Sequence, residues 1–258
     1  MSCMRDRLTM PCRLHQRLAA ILLSAFAAVL LGCVQSASSA PGNRAGDRPT
    51  RLEVWDLQLG TQLEALPDEF VDYACGTNGG PPATPLNGWR EAQRCRPEAS
   101  GLREIYFRYD DELEYWAKAN NLLPQMEQYA GTKTYGFPVT VSALIDDGGV
   151  LRGVRVVSDP RGDSQNRGEA YLLRNFLTAR FGRDGWACES LPPEDGETPV
   201  DGIFVKERCR KELAGGTTAA LTTRHLRKAG QAQFDPRTGR ETAGQFESAV
   251  RFELMRGR

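Results

Sequence analysis

Apolar and polar residues alternate along several short stretches of this chain, and that period of two predicts strands. Ile105, Phe107 and Tyr109 share one face of 103–109, and Val139, Val141, Ala143 and Ile145 share one face of 138–145. Asp146-Asp147-Gly148-Gly149 then turns the chain into a second run, 150–157, so the pair reads as a β-hairpin. Further strands are expected at 51–59, 202–207 and 217–226, and a turn at Asp235-Pro236-Arg237-Thr238-Gly239. Phe246, Ser248, Val250, Phe252 and Leu254 mark a last one by their alternation.

Two segments carry the helical period instead. Ala170, Leu173, Leu177 and Phe181 recur at helical spacing within 164–181, and Gly182 suits the left-handed position after a helix end. Asp110 and Asp111 are N-cap candidates for a second helix reaching about Asn121, with Glu114 placed as in a capping box. The sum predicts an α+β fold: mainly antiparallel sheet with a few helices packed against one face.

The amino terminus follows another pattern. Arg5, Arg7, Arg13 and Arg17 precede an almost wholly apolar run from Leu18 to Leu31. A basic start, a short apolar stretch and small residues after it describe an export signal. At about 14 residues the run is shorter than the roughly 20 that a membrane-spanning helix needs. Leu30-Leu31-Gly32-Cys33 resembles the lipobox of bacterial lipoprotein precursors. The resemblance implies cleavage after residue 32 and a diacylglycerol on the thiol of Cys33, which would anchor the mature chain in a membrane. Lacking Asp after the cysteine, such a lipoprotein would be sorted to the outer membrane and face the periplasm. Ordinary cleavage near Ala37 or Ala40, releasing the protein into the periplasm, is the alternative. Residues 33–50 are rich in Ser, Ala, Gly and Pro and read as a flexible tether, leaving 51–258 as the folded body.

Composition narrows the partners. The chain has 258 residues, 40% hydrophobic and 26% charged, with 33 Lys+Arg balancing 33 Asp+Glu. Losing residues 1–32 removes four arginines and one aspartate, so the mature chain is left with a net charge of about −3. No basic stripe interleaved with aromatics occurs, which argues against nucleic acid as a partner.

Of seven cysteines, Cys3 and Cys12 leave with the signal and Cys33 is assigned to lipid, so Cys75, Cys95, Cys188 and Cys209 remain. Four cysteines in an exported chain read as two disulfides, with three connectivities open. Tyr73-Ala74-Cys75 and Trp186-Ala187-Cys188 are each followed by a Pro-Pro pair and then by Cys-Arg-x-Glu, at Cys95 and Cys209. This recurrence favours Cys75–Cys95 and Cys188–Cys209, and it marks candidate repeat halves at 51–137 and 138–258.

Catalytic patterns are scarce. The mature sequence holds one histidine, His225, and contains no Gly-x-Ser-x-Gly elbow, no Ser-x-x-Lys and no HExxH. Asp110, Asp111 and His225 are the only catalytic candidates, for a carboxylate-dependent periplasmic hydrolase. The acidic clusters at 110–114 and 194–197 lack the spacing of a calcium loop, and no cofactor or metal is expected from the ligand pattern. Trp89, Tyr106, Phe107, Tyr109, Tyr115 and Trp116 read as core aromatics before they read as a ligand groove. The leading expectation is therefore a tethered, non-catalytic binding or envelope-maintenance protein engaging an envelope protein or component. The hydrolase and a small-ligand or metal-binding module are the alternatives.

Overall fold

The computed structural model describes residues 52–109, 117–122 and 132–257, apart from positions 118, 163, 232, 235, 239, 240, 243 and 244. Among these residues nine strands form one sheet in which every pairing is antiparallel. They are β1 (Val71–Cys75), β2 (Arg103–Arg108), β3 (Thr132–Thr134), β4 (Phe137–Ile145) and β5 (Leu151–Ser158), then β6 (Ala187–Ser190), β7 (Val205–Leu213), β8 (Thr217–Leu226) and, after a small separate hairpin, β11 (Glu247–Arg256). That hairpin is β9 (Gln233–Phe234) with β10 (Glu241–Thr242). Across the sheet the order is β1-β2-β4-β5-β11-β8-β7-β6, with β3 paired to the beginning of β4. The C-terminal strand thus enters the middle of the sheet and joins its two flanks.

Strand pleating divides the residues between two faces. On one face a row of aligned neighbours runs Phe107, Val141, Val156, Phe252, Leu221, Cys209 and Cys188. All but Cys188 are buried, and they form the floor of the hydrophobic core. Above them lie α1 (Ser164–Glu169), a short 3-10 turn (Ala170–Leu172) and α2 (Leu173–Arg180), whose Leu173 and Leu177 are fully buried. Each such side chain contributes on the order of 1.5–3 kcal/mol by leaving water. Lys211 secures the end of α2, donating from Nζ to the carbonyls of Phe181 (2.6 Å), Gly182 (2.9 Å) and Asp184 (2.7 Å). Trp89 packs edge-on to Tyr73 and Phe107, with centroids 4.9 and 5.2 Å away, and donates to Pro67 O at 2.8 Å.

The expected α+β class with a few packed helices is overturned: the fold is β-rich. Among the described residues the α-helical segments of any length are α1 and α2, and the other helical pieces are 3-10 turns, apart from the stretch near Ala117. The helix expected from Asp110 falls mostly outside the described residues, although Ala117 is helical and buried. Hydrophobic period undercounts strands here for a physical reason. On β7 the outward positions Lys206, Arg208, Arg210 and Glu212 are charged, and the inward ones include a cysteine and Glu207, so little apolar contrast is left to read. β6 is exposed throughout, and β1 runs from exposed Val71 and Asp72 to buried Tyr73, Ala74 and Cys75, so neither shows an alternation.

The strand expected at 51–59 is also absent. Val54–Asp56 forms a 3-10 turn, because Glu53 N donates to Asp56 Oδ2 at 2.7 Å and Asp56 N returns to Glu53 O at 3.0 Å. Val54 and Leu57 are then buried on the core side of that turn. The 146–149 turn forms as expected: Asp146 N bonds Val150 O at 3.0 Å, and Asp146 Oδ1 accepts from Val150 N at 2.9 Å.

Candidate functional site

The opposite face of the sheet is built from charge. One aligned row reads Tyr106, Ser142, Arg155, Glu253, Ala220, Arg210 and Ala187. The next reads Thr140, Val157, Arg251, Thr222, Arg208 and Glu189. Arg155, only 4% exposed, sits at the centre and is held by three carboxylates. Its guanidinium binds Glu98 with two parallel hydrogen bonds (2.6 and 3.0 Å), Glu253 Oε1 at 2.7 Å and Glu104 Oε1 at 3.0 Å. Burial opposes the charge on Arg155, but the hydrogen bond it donates to Glu98 and the charges of Glu104 and Glu253 outweigh it and keep the group protonated. The Arg155 hydrogen bond likewise holds the Glu98 carboxyl below the usual range.

The loop closed by the first disulfide covers this cluster. Asn78 N and Gly79 N donate to the Glu104 carboxylate, the latter at 3.0 and 3.2 Å, and Arg251 donates to Asn78 O and Asn78 Oδ1 at 2.7 Å each. Only a glycine lets the loop lie so close: a Cβ on Gly79 would stand 2.6 Å from Val157 Cγ2. The loop stops there. Past Asn78 nothing among the described residues covers the charged face, and two adjoining depressions of about 440 and 460 Å³ run across β5, β11, β8, β7 and β6.

Arg208 and Thr222 line both depressions. Arg224 and Arg251 line the first with them, beside the carboxylate of Glu247. Arg251 is oriented by Asn78 and by Glu253 Oε1 at 2.7 Å, and Arg224 by Glu247 Oε1 at 3.1 Å. Glu247 also meets Lys228 Nζ at 2.6 Å. Burial raises the Glu247 carboxyl, yet hydrogen bonds from Lys228 and Arg224 more than offset that and hold it ionised. The Arg208 side chain is exposed and, among the described residues, makes no hydrogen bond or ion pair. The arrangement is a rigid, strand-mounted set of guanidiniums, one of them uncommitted, suited to holding anionic groups.

The candidate residues read from the sequence lie elsewhere. Cys33, Asp110, Asp111, Tyr115 and Trp116 fall outside the described residues. His225 is on the core face, 5% exposed, with its ring centroid 4.3 Å from Tyr171 and 5.6 Å from Phe246. Its Nδ1 has no hydrogen-bond partner among the described residues, and burial lowers its pKa. It is thus neither solvent-facing nor part of the charged groove. Trp89, Phe107 and Tyr109 are core residues, while Tyr106 is buried on the charged face. Glu194 and Glu197 both bind Lys206 Nζ, at 2.7 and 2.8 Å. Cys75 is bonded to Cys95 and Cys188 to Cys209, which settles the connectivity among the three arrangements. Cys188, Glu207 and Cys209 cluster within 4.8 Å, but their sulfurs are joined to each other and Glu207 binds Arg174 at 3.0 Å, so they do not form a free ligand set.

Arg208, Thr222, Arg224 and Arg251 were not legible as a site. The available signal was the period-two placement of basic residues at 206, 208 and 210, which puts three cations on one strand face. Which strands lie beside that face is not written locally. Compared with protein-family models, curated protein sequences and solved structures, the chain matches none.

Proposed function

We propose that this chain is an exported bacterial lipoprotein, tethered through Cys33 to the outer membrane and facing the periplasm. Its role there is non-catalytic: it binds and holds an envelope component. The observation that carries this reading is the open charged strip on the sheet, in which Arg208 is unpaired among the described residues while Arg224 and Arg251 are held in place around it. A preorganised surface of that kind loses little entropy on binding, which favours recognition. The lipobox-like 30–33 and the Ser/Ala/Gly/Pro-rich 33–50 support tethering of the body at a membrane surface.

Two measurements test it. Mass spectrometry of the mature amino terminus should find residue 33 carrying a diacylglycerol; a terminus near 38 or 41 would replace the anchor with a soluble periplasmic product. A photoreactive amino acid at position 222, introduced in living cells, should give a defined adduct with an envelope component. The same probe at position 183, on an exposed turn, should not. Equal labelling at both positions, or none at 222, would overturn the binding role.

A further inference from the structure

We infer, building on the reading of this same groove, that its ligand carries a phosphate group, free or as a phosphomonoester, seated over Thr222 between Arg208, Arg224 and Arg251. Register places the three arginines. Arg208 on β7 and Arg251 on β11 are both paired with Thr222 on β8, one from each side. Adjacent strands lie about 4.8 Å apart, so the two arginine Cα atoms are roughly 10 Å apart with Thr222 between them. The Arg251 guanidinium is held by Asn78 and Glu253, which leaves that of Arg208 free to move toward the hydroxyl. Arg224 lies two residues along β8 on the same face, roughly 7 Å from Thr222 by strand rise. A planar guanidinium presents paired donors that match two oxygens of a phosphate. Arg208 offers a free fork here, and Arg224 and Arg251, fixed by Glu247 and by Asn78 with Glu253, add positive charge beside it.

Charge selects among anions. Arg208, Arg224, Arg251 and the Lys228 that meets Glu247, set against the carboxylates of Glu247 and Glu253, leave this depression with a net charge near +2. A phosphomonoester carries about −1.5 to −2 at neutral pH, which neutralises it, whereas one carboxylate would not. Glu247 adds a second criterion. Hydrogen phosphate at charge −2 still bears a proton and can donate a hydrogen bond to that carboxylate, a monoester does so as its monoanion, and sulfate has no proton to give and meets repulsion. Arg208, having no protein partner among the described residues, gives up no existing ion pair on binding.

Calorimetric titration of the full chain in an uncharged maltoside detergent decides the matter, using inorganic phosphate, sulfate, dihexanoyl phosphatidic acid and dihexanoyl phosphatidylcholine as probes. Phosphate and phosphatidic acid should bind, sulfate at least tenfold more weakly, and phosphatidylcholine not at all. Arg208→Gln should weaken phosphate binding at least tenfold with an unchanged melting temperature, and Arg183→Gln should leave it unchanged. Phosphatidic acid binding more tightly than inorganic phosphate would assign the group to a lipid headgroup; equal affinities would assign it to phosphate alone. Sulfate binding as well as phosphate, no heat with any probe, or an indifferent Arg208→Gln would each overturn the assignment. An adduct at position 222 in cells without phosphate binding would remove only the ligand class. Phosphate binding without an adduct would remove the envelope role and keep the site.

Discussion

Cys188 and Cys209 stand directly opposite one another on β6 and β7, with Cα atoms 4.0 Å apart, so their disulfide is a rung across two neighbouring strands at the sheet edge. β6 is exposed at all four positions and pairs with β7 alone. It has no buried apolar side chain to hold it, and the covalent link does that instead.

Removing this rung should therefore loosen β6 and little else. Closing a loop of about 20 residues is worth up to roughly 3 kcal/mol through the unfolded chain. In Cys188→Ala/Cys209→Ala, amide exchange at 187–190 should quicken at least tenfold while β4 and β5 stay protected. The pair Cys75 and Cys95 is buried beside the aromatic core, so its double alanine variant should lose more stability than the edge pair. Chemical denaturation of both variants gives the comparison, and equal losses would count against the edge-strand account.

Arg155 neutralises three carboxylates that would otherwise face one another. Arg155→Leu should cost about 3–5 kcal/mol, because it leaves buried charges without a counter-ion. For a body of this size that lowers the melting temperature by about 10 °C. The pH dependence separates charge from packing. Glu98 has a depressed pKa in the folded state, so its contribution is present above the ordinary value of 4.5 and is lost as pH falls through the lower folded value. The gap between wild type and variant should narrow below about pH 4.5; a constant gap would mean that Arg155 acts by packing alone.

His225 should make the fold acid-sensitive. Burial lowers its pKa from 6.5, so below that value the unfolded chain takes up a proton that the folded one resists. Stability is then fully present above about pH 6.5 and declines as pH falls toward the depressed folded value. His225→Phe keeps a ring against Tyr171 and Phe246 and removes the titration. Melting temperatures at pH 7.5 and 5.5 should differ more in the wild type than in this variant.

Gly153, in the middle of β5, is a packing requirement. A Cβ there would stand 2.7 Å from Leu254 O and 2.2 Å from Met255 Sδ. The methionine can swing away, but the backbone carbonyl of the paired strand cannot. Gly153→Ala should cost about 1–3 kcal/mol in denaturant unfolding. Adding Met255→Ala should recover only part of that loss, and full recovery would show the carbonyl contact to be unimportant.

Some elements could be read from the chain almost to the residue. β8 occupies the expected 217–226, and β4 and β5 begin and end within a residue of the expected runs. The stretch 164–181 is helical, broken by one 3-10 turn at Ala170–Leu172. Each of these has strong apolar contrast or a turn of known chemistry at its end. β6 and the later half of β7 do not show in the pattern, since Glu189 and Arg210 face solvent and a disulfide holds β6 in place of apolar burial, and β1 does not because its buried residues, Tyr73 to Cys75, are consecutive. The reading of 51–59 failed for another reason: Glu53 and Asp56 bond locally and turn the chain before a strand can form.

From its residues alone, this protein's chain specifies which side chains share a face, where the 146–149 turn falls, and that an aromatic-Ala-Cys pattern recurs at Cys75 and Cys188. Those properties depend on neighbours within a few positions, so a short window contains them. The tertiary structure alone decides that β11 lies between β5 and β8, bringing Arg251 alongside Thr222 and, across it, Arg208. Strand partners are chosen by backbone hydrogen bonding and matched faces over separations of up to about a hundred residues, and no local pattern records that choice.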